Sequence, residues 1–112
     1  MIGKTIDTLL ELKASGAETT STDGTGKAIG PTDLVKAMIK VTAVAGTNPT
    51  LDLKIQDGST STPTTDRVKL PQITAVGEYE AYFKTAQKYA RYSSVIGGTG
   101  SPSFTYSVYV TA

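Results

Sequence analysis

An all-β fold, a single antiparallel β-sandwich of about seven to eight strands in a jelly-roll or Ig-like arrangement, is the class this sequence predicts. Thr and Ser supply 19 and nine of the 112 residues, beside 11 Gly and five Pro, a composition of strands and turns. Apolar and polar residues alternate over several stretches, and no interior stretch carries a clear 3.6-residue period. Gly, Pro, Asn and Asp clusters divide those stretches at short intervals, as a sandwich requires. A chain this short makes one domain, 1–112.

The first element is ambiguous. Over residues 5–12, Ile6, Thr8, Leu10 and Leu12 share one strand face, but Ile6, Leu9, Leu10 and Lys13 also fit a helical period. Residues 1–13 are thus a first strand or an N-terminal arm. Residues 14–30 shift to Ser, Thr, Gly and Ala with an Asp23-Gly24 turn signal, a loop region with room for a short strand near Gly26–Ile29. In the stretch Leu34–Ala45, Val35, Ala37, Ile39, Val41 and Ala43 point inward while Lys36, Lys40 and Thr42 point out. Gly46-Thr47-Asn48-Pro49 reads as a turn into Leu51, Leu53 and Ile55, so the two stretches form an antiparallel hairpin.

Asp57–Asp66 is a polar loop, and Val68 and Leu70 mark a short strand stopped by Pro71. Tyr79, Ala81 and Phe83 alternate with Glu78, Glu80, Tyr82 and Lys84 in the next strand. Ala90, Tyr92, Ser94 and Ile96 form one face of another, and Gly97–Pro102 turns into a last strand lined by Phe104, Tyr106, Val108 and Val110. Residues 44–53 echo residues 95–106: strand, Gly-Thr, Pro, strand. Two hairpins sharing one turn chemistry account for the echo.

Composition narrows the chemistry. Without His or Cys there is no imidazole base, thiolate nucleophile, disulfide or His/Cys zinc site. A formal charge of +1 gives no reason to expect nucleic acid or anionic lipid as a partner. No run approaches the ~18 apolar residues of a membrane span, and no apolar segment follows Met1-Ile2-Gly3-Lys4 as a signal peptide would. A soluble, non-membrane protein without cofactor or enzymatic activity is the expectation.

The local motifs weigh the same way. Gly24-Thr25-Gly26-Lys27 resembles the end of a phosphate loop, but Ser21 replaces its first Gly and Ala28 its Ser/Thr. Glu78 and Glu80 lie on one strand face, not across a cleft, so they suit a solvated surface better than glycoside hydrolysis. Asp23, Asp57 and Asp66 lack calcium-loop spacing and read as turn caps. Tyr79, Tyr92 and Tyr106 fall on inner faces, with each hydroxyl reaching the rim. Tyr82, Tyr89 and Tyr109 fall on outer faces, where tyrosines serve a protein interface, stack on sugar rings, or simply satisfy strand propensity.

The run Val41–Gln56 (VTAVAGTNPTLDLKIQ), followed by Ile73-Thr74-Ala75-Val76-Gly77, Lys88-Tyr89-Ala90-Arg91-Tyr92 and Ser101–Val108 (SPSFTYSV), resembles a block found in small virion proteins of tailed bacteriophages. The likeness covers roughly residues 34–110 and departs from the block in the short loop Asp57–Arg67. It implies a β-sandwich virion component, most like a head decoration (cement) protein that binds the outer surface of the major capsid protein lattice. It further implies a capsid-surface location after synthesis in the bacterial cytoplasm, and a homo-oligomer, with a trimer favoured because capsid lattices offer three-fold sites. Capsid contact is expected from the arm (Ile2, Lys4, Ile6, Leu9) and the Ser15–Gly30 loop. The alternative is a carbohydrate-binding module of the virion surface or tail, working through Tyr82, Tyr89 or Tyr109.

Overall fold

The computed structural model describes residues 10–29 and 32–111, with side chains from residue 35 onward in the second span. The described residues are all-β and antiparallel, with seven strands and no helix. They are β1 (Leu10–Glu18), β2 (Thr22–Asp23), β3 (Lys27–Ala28), β4 (Thr32–Gly58), β5 (Thr65–Lys69), β6 (Gly77–Thr85) and β7 (Tyr89–Thr111). The arm positions Ile2, Lys4, Ile6 and Leu9 lie outside the described residues.

Two strands dominate. The 27 residues of β4 and the 23 of β7 run antiparallel, from Lys36 opposite Thr111 to Gly58 opposite Tyr89. At one end this ribbon carries β6 beside β4 and β1 beside β7. At the other end β5 takes the β4 side, while β2 and β3 take the β7 side. Both halves turn their odd-numbered β4 residues into one buried cluster: Val35, Ala37, Ile39 and Val41 from the first, Leu51, Leu53 and Ile55 from the second. Phe104, Tyr106, Val108 and Val110 close it from β7. The result is a sandwich-like body whose two layers share both long strands.

The hairpins expected at residues 46–49 and 97–102 are absent. Both segments continue their strands through a bend, and they bend together, with Thr47 opposite Thr99 and Thr50 opposite Gly97. Register shifts at Val41/Ala43, Ala45/Thr47 and Thr47/Thr50 mark bulges, which kink a ladder without reversing it. Left-handed backbone at Gly46, Asn48, Gly98, Gly100 and Ser101 permits the kink. A Cβ on Gly46 would lie 2.7 Å from Pro102 Cα, so the two strands touch there at backbone distance. The sequence echo therefore joins hydrogen-bonded partners in one bent ribbon, with Val44 opposite Phe104 and Leu51 opposite Ile96. Ala43, expected inside, is exposed because the first bulge rotates it off the core face.

Residues 14–29 are in part strand. The end of β1 pairs with β7 through Glu18 and Phe104, and β2 and β3 add two short ladders to the same strand. The short strand expected near Gly26–Ile29 is β3. Residues 19–21 and 24–26 connect these short strands.

Candidate interaction face

The outer face of the β6–β4–β7–β1 layer collects the side chains with the most binding character. Period-two alternation sends Lys36, Met38 and Lys40 of β4 outward, opposite Val35, Ala37 and Ile39 in the core. The register then sets the rows across the sheet. Tyr82 pairs with Lys36, which pairs with Thr111. One row on, Glu80 pairs with Met38, Met38 with Tyr109, and Tyr109 with Glu11. Glu78, Lys40 and Ser107 complete a third row. A shallow cavity of about 300 Å³ runs over this surface between Lys36, Met38, Glu80 and Tyr109.

Charges of both signs frame the aromatic pair. Lys36 Nζ lies 3.2 Å from Glu80, and Tyr82 donates its hydroxyl to the same carboxylate at 3.3 Å. Tyr109 donates to Glu11 at 2.8 Å. The hydrogen bond and charge of Glu80 hold the Lys36 ammonium above its ordinary value. The hydrogen bond to Glu11 likewise raises the Tyr109 phenol. These surface contacts fix side-chain directions more than they stabilise the fold.

Of the three outer tyrosines, the structure brings two together. Tyr82, 54% exposed, and Tyr109 share this face across β4. Tyr89 belongs to the other half of the ribbon, between Ala28 and Gly58, and is half-buried. Among the inner tyrosines, Tyr92 and Tyr106 are buried and Tyr79 is half-buried. Their hydroxyls do not all reach the rim as expected. Tyr92 and Tyr106 instead donate to Glu18, at 3.0 and 2.7 Å, and Ser94 donates to it as well.

Glu18 went unnoticed in the sequence because one carboxylate in a Ser/Thr/Ala stretch carries no motif. It is only 8% exposed, and three hydroxyl donors satisfy it inside the body. Lys13 stands over the Tyr106 ring at 4.4 Å and donates to the Tyr106 and Gly16 carbonyls. Burial lowers its ammonium, against an opposing pull from Glu18. Burial first, then Glu18, pushes the Tyr92 phenol up to about 12 and Tyr106 well above its ordinary range. Phenols so held donate hydrogen bonds and do not act as bases near neutral pH. The cluster is a structural clasp.

The three aspartates stand apart, each engaged by donors. Fully buried Asp57 accepts both Arg67 Nε at 2.8 Å and Nη2 at 3.3 Å, together with Thr85 Oγ1 at 2.6 Å. Asp66 takes Gln56 and Lys54, and Asp23 takes Ser93. Asp57 is thus a buried carboxylate at the end of β4, held by Thr85 and by the exposed Arg67 guanidinium, and not a loop cap. Among the described residues no group of three acidic side chains converges as a metal site would require. Gly24 donates its backbone N–H to the Tyr92 carbonyl, and Lys27 opens β3, so this segment is a strand connection and not a phosphate cradle. Glu78 and Glu80 are exposed on the outer face.

Comparison with solved structures shows a likeness of fold. The cleaved adhesin domain K3 of Lys-gingipain from Porphyromonas gingivalis is similar over 93% of this chain and 73% of its own, at TM-score 0.53 and 11% identity. That likeness is one of fold. No family model matches the chain, and no curated protein matches it.

Proposed function

We propose that this chain is a non-catalytic virion protein of a tailed bacteriophage, a decoration protein that binds the outer surface of the major capsid protein lattice and stabilises the shell. The observation that carries the reading is the Tyr82–Met38–Tyr109 face, framed by Lys36, Glu80 and Glu11 on one layer. Tyr and Met are enriched where proteins meet, and a rim of paired charges adds specificity. The phage-like segments 41–56 and 101–108 lie next to this face along β4 and β7 and do not contain its tyrosines. Among the described residues every buried side-chain nitrogen or oxygen has a partner within the protein.

Addition of purified protein to undecorated tailed-phage capsids tests the reading. Saturable, stoichiometric co-sedimentation and a raised capsid melting temperature are expected. Tyr82→Ala/Tyr109→Ala should weaken binding without unfolding the protein. Absence of binding to such capsids overturns it.

A carbohydrate-binding module of the virion surface or tail is the second reading. Its support is the exposed Tyr82 ring beside Lys36 and Glu80, a stacking platform with polar neighbours, on a fold similar to an adhesin domain. Glycan-array binding that vanishes in Tyr82→Ala would favour it over the capsid role.

A further inference from the structure

The sheet edges of this protein are unequal. Edge strands expose unpaired backbone groups, and proteins blunt them with bulges, prolines or shortness. β1 carries two register shifts, one on each side of Lys13. β2 and β3 are two residues each. β5 has five residues and a register shift, and Pro63 and Pro71 flank it. β6 has no proline and no extra residue of its own. Seven of its nine residues, Gly77 to Phe83, hold an unbroken register against β4, the one shift there falling between Phe83 and Thr85 with the extra residue on β4, and among the described residues no strand pairs with its other side.

The sequence of that edge complements itself. We propose that β6 pairs antiparallel with β6 of a second copy, in a two-fold register centred on Ala81. Residues 77–85 then lie opposite 85–77. On the outer face Glu78 meets Lys84 and Glu80 meets Tyr82, each contact occurring twice. On the inner face Tyr79 meets Phe83 and Ala81 meets itself. Opposite-charge and aromatic cross-strand pairs are the favourable kinds. Glu78 and Lys84 are both exposed, and neither has an ion-pair partner among the described residues.

Other registers are poorer. Centring on Glu80 sets two carboxylates face to face. Centring on Tyr82 opposes Glu80 to Lys84, but Glu80 is already engaged by Lys36, Tyr79 then meets Thr85, and Glu78 passes the end of the strand. A one-residue slip opposes inner and outer faces. The pairing also covers Tyr79 and Ala81, half-buried at the margin of the core. The contact is isologous and closes at two copies, unlike the trimer that the phage resemblance implies. It would join two Tyr82–Tyr109 faces into one bivalent surface, and it holds whether or not the capsid reading does.

Light scattering after size exclusion should give twice the 11.7 kDa chain mass. Lys84→Glu should raise the dimer dissociation constant roughly tenfold, and Glu78→Lys with Lys84→Glu should restore it. The chain has no cysteine, so a single introduced thiol reports the register. Ala81→Cys should oxidise to a disulfide-linked dimer, because facing Cα atoms in such a ladder lie ~4.5–5.5 Å apart. Glu78→Cys should not, with its two copies ~20 Å apart. A monomer at every concentration overturns the proposal. So does a trimer, a dimer indifferent to charge reversal, or equal cross-linking at 78 and 81.

Discussion

The ring of Tyr92 meets that of Tyr106 edge-on, with centroids 6.3 Å apart and planes at 89°, although both residues belong to β7. A straight strand would hold them ~46 Å apart at about 3.3 Å per residue. Their contact shows that β7 doubles back over the core, and Glu18 clasps both hydroxyls where the two arms meet.

That clasp makes stability fall in alkali. Both phenols are raised in the folded state, so their contribution is whole below the unfolded value near 10. It is lost as pH climbs from there through about 12, the folded value of Tyr92. Urea midpoints measured from neutral to strongly alkaline pH should drop across that interval. Tyr92→Phe should flatten part of the drop.

Removing the acceptor tests the same network. Glu18→Ala strands the hydroxyls of Tyr92 and Tyr106, while Ser94 keeps the Thr22 carbonyl, and should cost about 2–4 kcal/mol in urea denaturation. An unchanged midpoint would show that these hydroxyls find water instead.

Asp57→Ala should also destabilise, by about 1–3 kcal/mol, because it leaves the buried Thr85 hydroxyl without its acceptor, while the exposed Arg67 guanidinium can turn to solvent. Lys54→Ala, which breaks only an exposed pair with Asp66, should shift stability by less than about 0.5 kcal/mol.

Gly98→Ala tests the bend. Residue 98 has φ of 116°, and a Cβ there would sit 2.9 Å from both Asn48 O and Pro49 Cα. Thermal unfolding should show a loss of about 2 kcal/mol or more. Gly16→Ala, with nothing nearer than 3.9 Å and no positive φ, is the matched control and should be nearly neutral.

Much of the core was legible because alternation survives wherever one face is buried. Val35, Ala37, Ile39, Val41, Leu51, Leu53 and Ile55 are inside as the pattern requires, and so are Phe104, Tyr106, Val108 and Val110. The bends were not legible, for a physical reason. Gly46, Asn48 and Gly98 supply left-handed backbone, and a bulged bend needs it as much as a reversing turn. Only the partner strand distinguishes the two, and pairing between β4 and β7 is invisible to local pattern. The interaction face was half legible. Outward tyrosines follow from parity, but placing Tyr82 beside Tyr109 and Tyr89 elsewhere requires the register across β4. Glu18 gave no signal and Asp57 reads as a turn cap, since a lone carboxylate looks the same in a turn or a core.

The shared ribbon also dictates how the chain can fold. Its pairing begins at Gly58 and Tyr89, about 30 residues apart, and ends at Lys36 and Thr111, about 75 apart. Closing the wider loop first would cost about 0.8 kcal/mol more in chain entropy. Folding should therefore zip from the Gly58–Tyr89 end toward the termini, on the slow millisecond-to-second scale of proteins built from distant contacts. Substitutions at Ile55 or Tyr92 should retard that zipping, whereas those at Ala37 or Val110 should chiefly hasten its reversal.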